Sequence, residues 1–66
     1  MKKFHLRILA GHSSWTELVE AEYFDATNNK GDYKGYYAFR ANKEIVACYP
    51  IERTIIEKII KIEEND

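Results

Sequence analysis

Alternation of apolar and polar residues dominates the start of this chain. Phe4, Leu6, Ile8 and Ala10 point one way, and Lys3, His5 and Arg7 the other, with Leu9 out of step at the end. Strict period two predicts a half-buried strand with one wet face. Gly11-His12-Ser13-Ser14 follows as a turn.

Residues 15–27 fit two periods. With period two, Val19, Ala21 and Tyr23 face inward while Glu20 and Glu22 face water. With period 3.6, Trp15, Leu18, Val19, Tyr23 and Ala26 share a helical face, and Ser14-x-x-Glu17 forms a capping box. Glu, Leu and Ala favour a helix. Glu22 in the middle of the apolar helical face, and Phe24 opposite it, favour a strand.

Asn28-Asn29-Lys30-Gly31-Asp32 is a loop, and Gly35 a second break. Two apolar runs then flank Asn42-Lys43, the pattern of a β-hairpin apolar on both faces. Residues 33–49 hold five of the nine aromatic rings, so what covers this hairpin, or binds it, is the central question. Tyr37, Phe39 and Ala41 share one face of its first strand, and Tyr36, Ala38 and Arg40 the other. In the second strand Ile45, Ala47 and Tyr49 oppose Glu44, Val46 and Cys48. Pro50 has no N–H for the ladder and ends the sheet.

Residues 51–63 predict a helix. At 100° per residue Ile51, Ile55, Ile56, Ile59, Ile60 and Ile62 fall in one half-circle, and Arg53, Glu57, Lys58 and Lys61 in the other. Isoleucine is β-branched, so residues 54–60 also fit a closing strand. The predicted architecture is α+β: one domain over residues 1–66, a small curved antiparallel sheet of about four strands, and a C-terminal amphipathic helix packed on one face. The alternatives are a first helix at residues 15–27, giving β-α-β-β-α, and a small five-stranded β-barrel.

Length sharpens the problem. A chain of 66 residues has a marginal core and usually needs a disulfide, a metal or a second copy. Cys48 is the only cysteine, and His5 and His12 are the only other soft ligands, too few for a structural zinc. Oligomerisation is the staple left, with a dimer as the first expectation and no cofactor. The charge balance, 10 basic against 11 acidic residues, argues against duplex DNA. The absence of a long apolar run argues against a membrane span, and a single thiol suits a reducing cytoplasm.

The candidate chemistry is thin. His5, His12, Ser13 and Ser14 lack a spacing that would orient a base on a nucleophile, and Cys48 sits among apolar neighbours. An enzyme is therefore not expected. Tyr33, Tyr36 and Tyr37, with Lys34 and Arg40 for phosphates, fit a stacking surface for a nucleotide or single-stranded nucleic acid. The plainer reading is core and dimer interface. Trp15, Glu20 and Glu22 are candidates for contact with a partner protein, the acids as one edge that steers a basic surface.

The segments Leu18-Val19-Glu20-Ala21-Glu22-Tyr23-Phe24, Tyr36-Tyr37-Ala38-Phe39 and Ile45-Val46-Ala47-Cys48-Tyr49-Pro50 resemble in rhythm small β-rich proteins of phages and bacterial mobile elements. The resemblance runs from Leu18 onward and rests on core rhythm and one proline. It implies a cytoplasmic, non-enzymatic accessory protein and favours strand at residues 18–25. It transfers no site residue. The expected function is stoichiometric sequestration or occlusion, as a phage-type inhibitor or regulator of a host protein. The alternative is the nucleotide or nucleic-acid binder.

Overall fold

A computed structural model describes residues 1–27 and 34–62. The strands are β1 (Lys2–Ala10), β2 (Ser13–Ala21), β3 (Tyr23–Thr27), β4 (Tyr36–Ala41), β5 (Glu44–Pro50) and β6 (Thr54–Lys61). They form two three-stranded antiparallel sheets, ordered β2-β1-β6 and β3-β4-β5. The β1–β2 hairpin turns on Gly11-His12, with Gly11 at φ 60°. β2 runs into β3 across Glu22, whose N–H donates to the Arg40 carbonyl at 2.8 Å. One bent stretch of chain thus serves both sheets.

The predicted C-terminal helix packed on a sheet is not what forms. Residues 51–53 make one 3-10 turn, Ile51–Arg53, and the isoleucines lie on strand β6, antiparallel to β1. The physical reason is a bulge. Leu6 pairs with Ile56 and His5 with Lys58, which leaves Glu57 as an extra residue in β6. An inserted residue resets the alternation. Thr54 and Ile56 face inward before it, Ile59 after it, and Ile55 and Ile60 face outward. Isoleucines at 55, 56, 59 and 60 therefore imitate helical spacing while belonging to a two-faced strand. β-branching favours that outcome.

The alternative helix at residues 15–27 is absent too; that segment is β2 and β3. The four-strand count fails with the helix, since six strands divide between two sheets.

The aromatic hairpin is β4–β5. Asn42 and Lys43 both adopt positive φ, 53° and 66°, as a two-residue type I′ turn requires. Its inner face is covered by a sheet rather than a helix. Phe4, Leu6, Ile8, Val19 and Ala21 of the first sheet pack with Phe39 of the second, and Phe24, Tyr37, Tyr49 and Ile56 close the margin. Phe4 meets Phe39 and Phe24 edge-on at centroid distances of 5.1 and 5.6 Å. Phe39 meets Tyr49 at 6.0 Å. Such edge contacts add about 0.5–1.5 kcal/mol each beyond burial.

A second bulge, at Val46, separates the pairs Arg40–Ile45 and Phe39–Ala47. It turns Ile45 outward with Arg40, while Ala47 and Tyr49 stay inside. The expectation that Ile45, Ala47 and Tyr49 share a face is thereby corrected.

Candidate functional site

The two faces of the first sheet differ in kind. Residues opposite one another in the β2-β1-β6 ladder share a face. Inside are the core residues just named. Outside, β1 contributes the half-buried Lys3, His5 and Arg7 as a central stripe. Leu18 lies beside His5, Ile60 beside Lys3 and Ile55 beside Arg7. These three aliphatic side chains are 57, 37 and 47 % exposed, on one face of one small sheet.

Arg7 is fixed there from both sides. Its Nε pairs with Glu57 Oε2 at 3.1 Å, and its Nη1 donates to Ser14 Oγ at 3.3 Å. Both charges are well exposed, so the ion pair contributes about 0–1 kcal/mol and mainly sets geometry. The Glu57 bulge thus does local work: it brings the carboxylate over the centre of the outer face.

The residues singled out from sequence do not form one cluster. Trp15 lies opposite Ile8, on the inner side and at the start of β2, and is 46 % exposed. Its indole N–H donates to Glu17 Oε1 at 3.3 Å. Glu20 lies on the outer face opposite Lys3. Glu22 sits at the bend between the sheets, where its Oε1 accepts the Asn42 N–H at 2.5 Å. That contact ties the bend to the tip of the β4–β5 hairpin. The single acidic edge expected from sequence is therefore divided among three environments.

The tyrosine group is divided as well. Tyr36 lies on the outer face of β4 and is 43 % exposed, and Lys34 is exposed in the turn before it. Tyr33 lies outside the described residues. Arg40 shares the outer side with Tyr36, but its Nε is paired with Asp25 Oδ2 at 2.9 Å. Tyr36 instead borders a groove of about 370 Å³ with Gly35, Pro50, Ile51, Glu52 and Arg53. The Ile51 N–H donates to the Gly35 carbonyl at 2.9 Å and holds the 3-10 turn against the hairpin base.

One titration is displaced. The Tyr49 phenol is pushed above its ordinary value, first by burial and then by the negative charge of Glu17. Cys48 is a free, half-buried thiol on the outer side of β5. Among the described residues no group of three or more His, Cys, Asp or Glu side chains is placed to hold a metal ion. Nor is any helix there long and apolar enough to cross a membrane.

Fold and surface together define a small all-β chain with an unevenly covered sheet. Comparison with protein-family models, curated proteins and solved structures gives no match.

Sequence reasoning missed Leu18, Ile55 and Ile60 as one surface, and missed Glu17 as an inward carboxylate. Period two in residues 15–21 already separates Leu18 from Val19. The second signal, the isoleucine run, is masked by the bulge.

Proposed function

We propose that the chain is a non-catalytic protein-binding module that acts by occupying a surface of its partner in a stoichiometric complex. The observation that carries this reading is the outer face of the β2-β1-β6 sheet. Leu18, Ile55 and Ile60 leave apolar surface in water around a polar centre of Lys3, His5 and Arg7. Covering apolar area stabilises a complex by about 25 cal/mol per Å², while a polar stripe fixes orientation. β6 ends the sheet, so its far edge has no neighbouring strand among the described residues. A partner strand added there gains main-chain hydrogen bonds as well as isoleucine contacts. Inhibition or regulation of a host protein in the cytoplasm is the role such a module fills.

The test is capture from a bacterial lysate with the tagged chain and with a Leu18→Ser/Ile55→Ser/Ile60→Ser variant. A partner recovered near one-to-one with the parent chain and lost with the variant supports the reading. Equal recovery by both overturns it. A second copy of the chain competes for the same face; light scattering across micromolar concentrations separates the two, because self-association doubles the mass without any partner.

A second reading, nucleotide binding, is favoured by the groove. Its volume of about 370 Å³ suits a small ligand, with the Tyr36 ring for stacking and Arg53 for phosphate. Arg40 is a poorer phosphate ligand than Arg53, because its guanidinium is already paired with Asp25. Nucleotide titration followed by Tyr36 chemical shifts tests it; unchanged shifts at millimolar nucleotide remove it.

A further inference from the structure

We propose that Trp15 and Glu17 form a receptor for one cationic side chain, a guanidinium or an ammonium, presented by a protein partner. This deepens the binding reading above and rests on it.

The starting point is a carboxylate in the wrong company. Glu17 lies directly opposite Leu6, which is fully buried, and Trp15 lies opposite Ile8, which is 7 % exposed. Its neighbours on that face include the buried Phe4, Val19 and Ala21. Glu17 is only half exposed there. A partly desolvated carboxylate is stable when hydrogen-bonded or paired with a cation. Arg7 and Arg40 each have an ion-pair partner. Glu17 has no ion pair among the described residues, and its one hydrogen bond is the 3.3 Å contact from the Trp15 indole.

The surroundings complete a site. The indole N–H lies in the ring plane, so its bond to Glu17 does not itself occupy a ring face, and Trp15 is 46 % exposed. On the facing sheet, the Tyr49 phenol is pushed up by burial and then by the Glu17 charge. A cation beside Glu17 would neutralise the carboxylate and meet an exposed indole face, the best aromatic partner for a positive charge. An arginine gains most, because its planar group stacks and hydrogen-bonds at once. One such contact is weak alone. It becomes useful as a single orienting point for a partner that covers the outer face and reaches round β2, the edge strand of that sheet.

Trp15 is the only tryptophan, so its emission reports on the site. The experiment titrates the intact chain with N-acetyl-arginine amide and N-acetyl-lysine amide at constant ionic strength. The uncharged citrulline and norleucine amides serve as controls. The expected result is a saturable change in Trp15 emission at millimolar arginine or lysine amide, with none from the neutral pair. In Glu17→Gln the side-chain carbonyl still accepts the indole N–H, and the response weakens about tenfold, as for one lost charged contact. An equal response to citrulline amide in the parent chain overturns the proposal whether or not the variant folds. So does an undiminished response in folded Glu17→Gln. If Glu17→Gln loses the amide response but captures its partner fully, the receptor takes a free small cation and the partner assignment fails. Failure of the outer-face variant to lose its partner overturns the binding reading itself, a separate result.

Discussion

Strand β1 presents two surfaces that differ in almost every respect. Phe4, Leu6 and Ile8 face the second sheet and are 1, 0 and 7 % exposed. Lys3, His5 and Arg7 face the other way, among Leu18, Ile55 and Ile60, which stay in contact with water. Both surfaces contain large aliphatic groups. Only one has a second layer, which buries them apart from Ile59 on the edge strand β6, 51 % exposed. The difference separates residues that hold the fold from residues that the fold merely displays, and apolar character alone does not make that separation. What makes it is the presence of Phe24, Tyr37, Phe39 and Tyr49 on one side of the sheet.

The comparison breaks most readily at the inner face. Phe4→Ala is expected to cost about 3–5 kcal/mol, the price of losing a fully buried ring and leaving a cavity. A chain of this length has about 3–10 kcal/mol in total. The variant should therefore show a lost or strongly lowered urea midpoint. An unchanged midpoint would mean that the two sheets do not pack as described.

Two smaller changes sharpen the picture in the opposite direction. Thr54 faces inward beside Ile8, is 6 % exposed, and its Oγ1 has no hydrogen-bond partner among the described residues. Thr54→Val removes that orphaned group at nearly constant shape. It should stabilise the chain by about 1 kcal/mol, seen as a higher urea midpoint with unchanged slope. Lys43 sits at φ 66° in the type I′ turn, a conformation that disfavours side chains other than Asn, Asp and Gly. Lys43→Gly should add roughly 0.5–1 kcal/mol, as relief of left-handed strain outweighs the added chain entropy. A loss of stability in either variant would place the side chain elsewhere.

The smallest expected effect is a pH dependence. Tyr49 has a raised pKa in the folded chain, so the folded state holds its phenolic proton to higher pH than the unfolded state does. Below the unfolded value of about 10 the two states bind the same number of protons. Above it the unfolded state loses its proton first, and stability declines until the folded phenol also ionises. Tyr49→Phe should flatten the thermal midpoint across that alkaline range. Glu17→Gln should flatten it in part.

The half of the fold built from plain alternation was legible in the sequence. β1 follows its period-two pattern, and Asn42-Lys43 places the hairpin turn. The other half was hidden by single residues that interrupt a period. Glu57 in β6 and Val46 in β5 are bulges, and a bulge moves every later side chain to the opposite face without changing composition. Glu17 and Glu20 stand three positions apart on β2 and so take opposite faces, and Glu22 lies at the bend, so acids that look like one edge in sequence end in different places. The candidate surface was obscured for the same reason. Leu18 and Ile60 lie 42 positions apart and are joined only through β1, beside His5 and Lys3. No local pattern encodes that adjacency; strand pairing creates it.

The outer face of the β2-β1-β6 sheet supplies the main binding surface, while the buried part of the inner face holds the fold. The most direct test of that division is quantitative capture by the Leu18→Ser/Ile55→Ser/Ile60→Ser variant, alongside its urea midpoint. Partner recovery should disappear while the variant remains folded, because exposed substitutions away from packed features usually change stability little, by about 0.5 kcal/mol or less per site. Full recovery by the folded variant, or collapse of the fold on these substitutions, would contradict the division between the two faces.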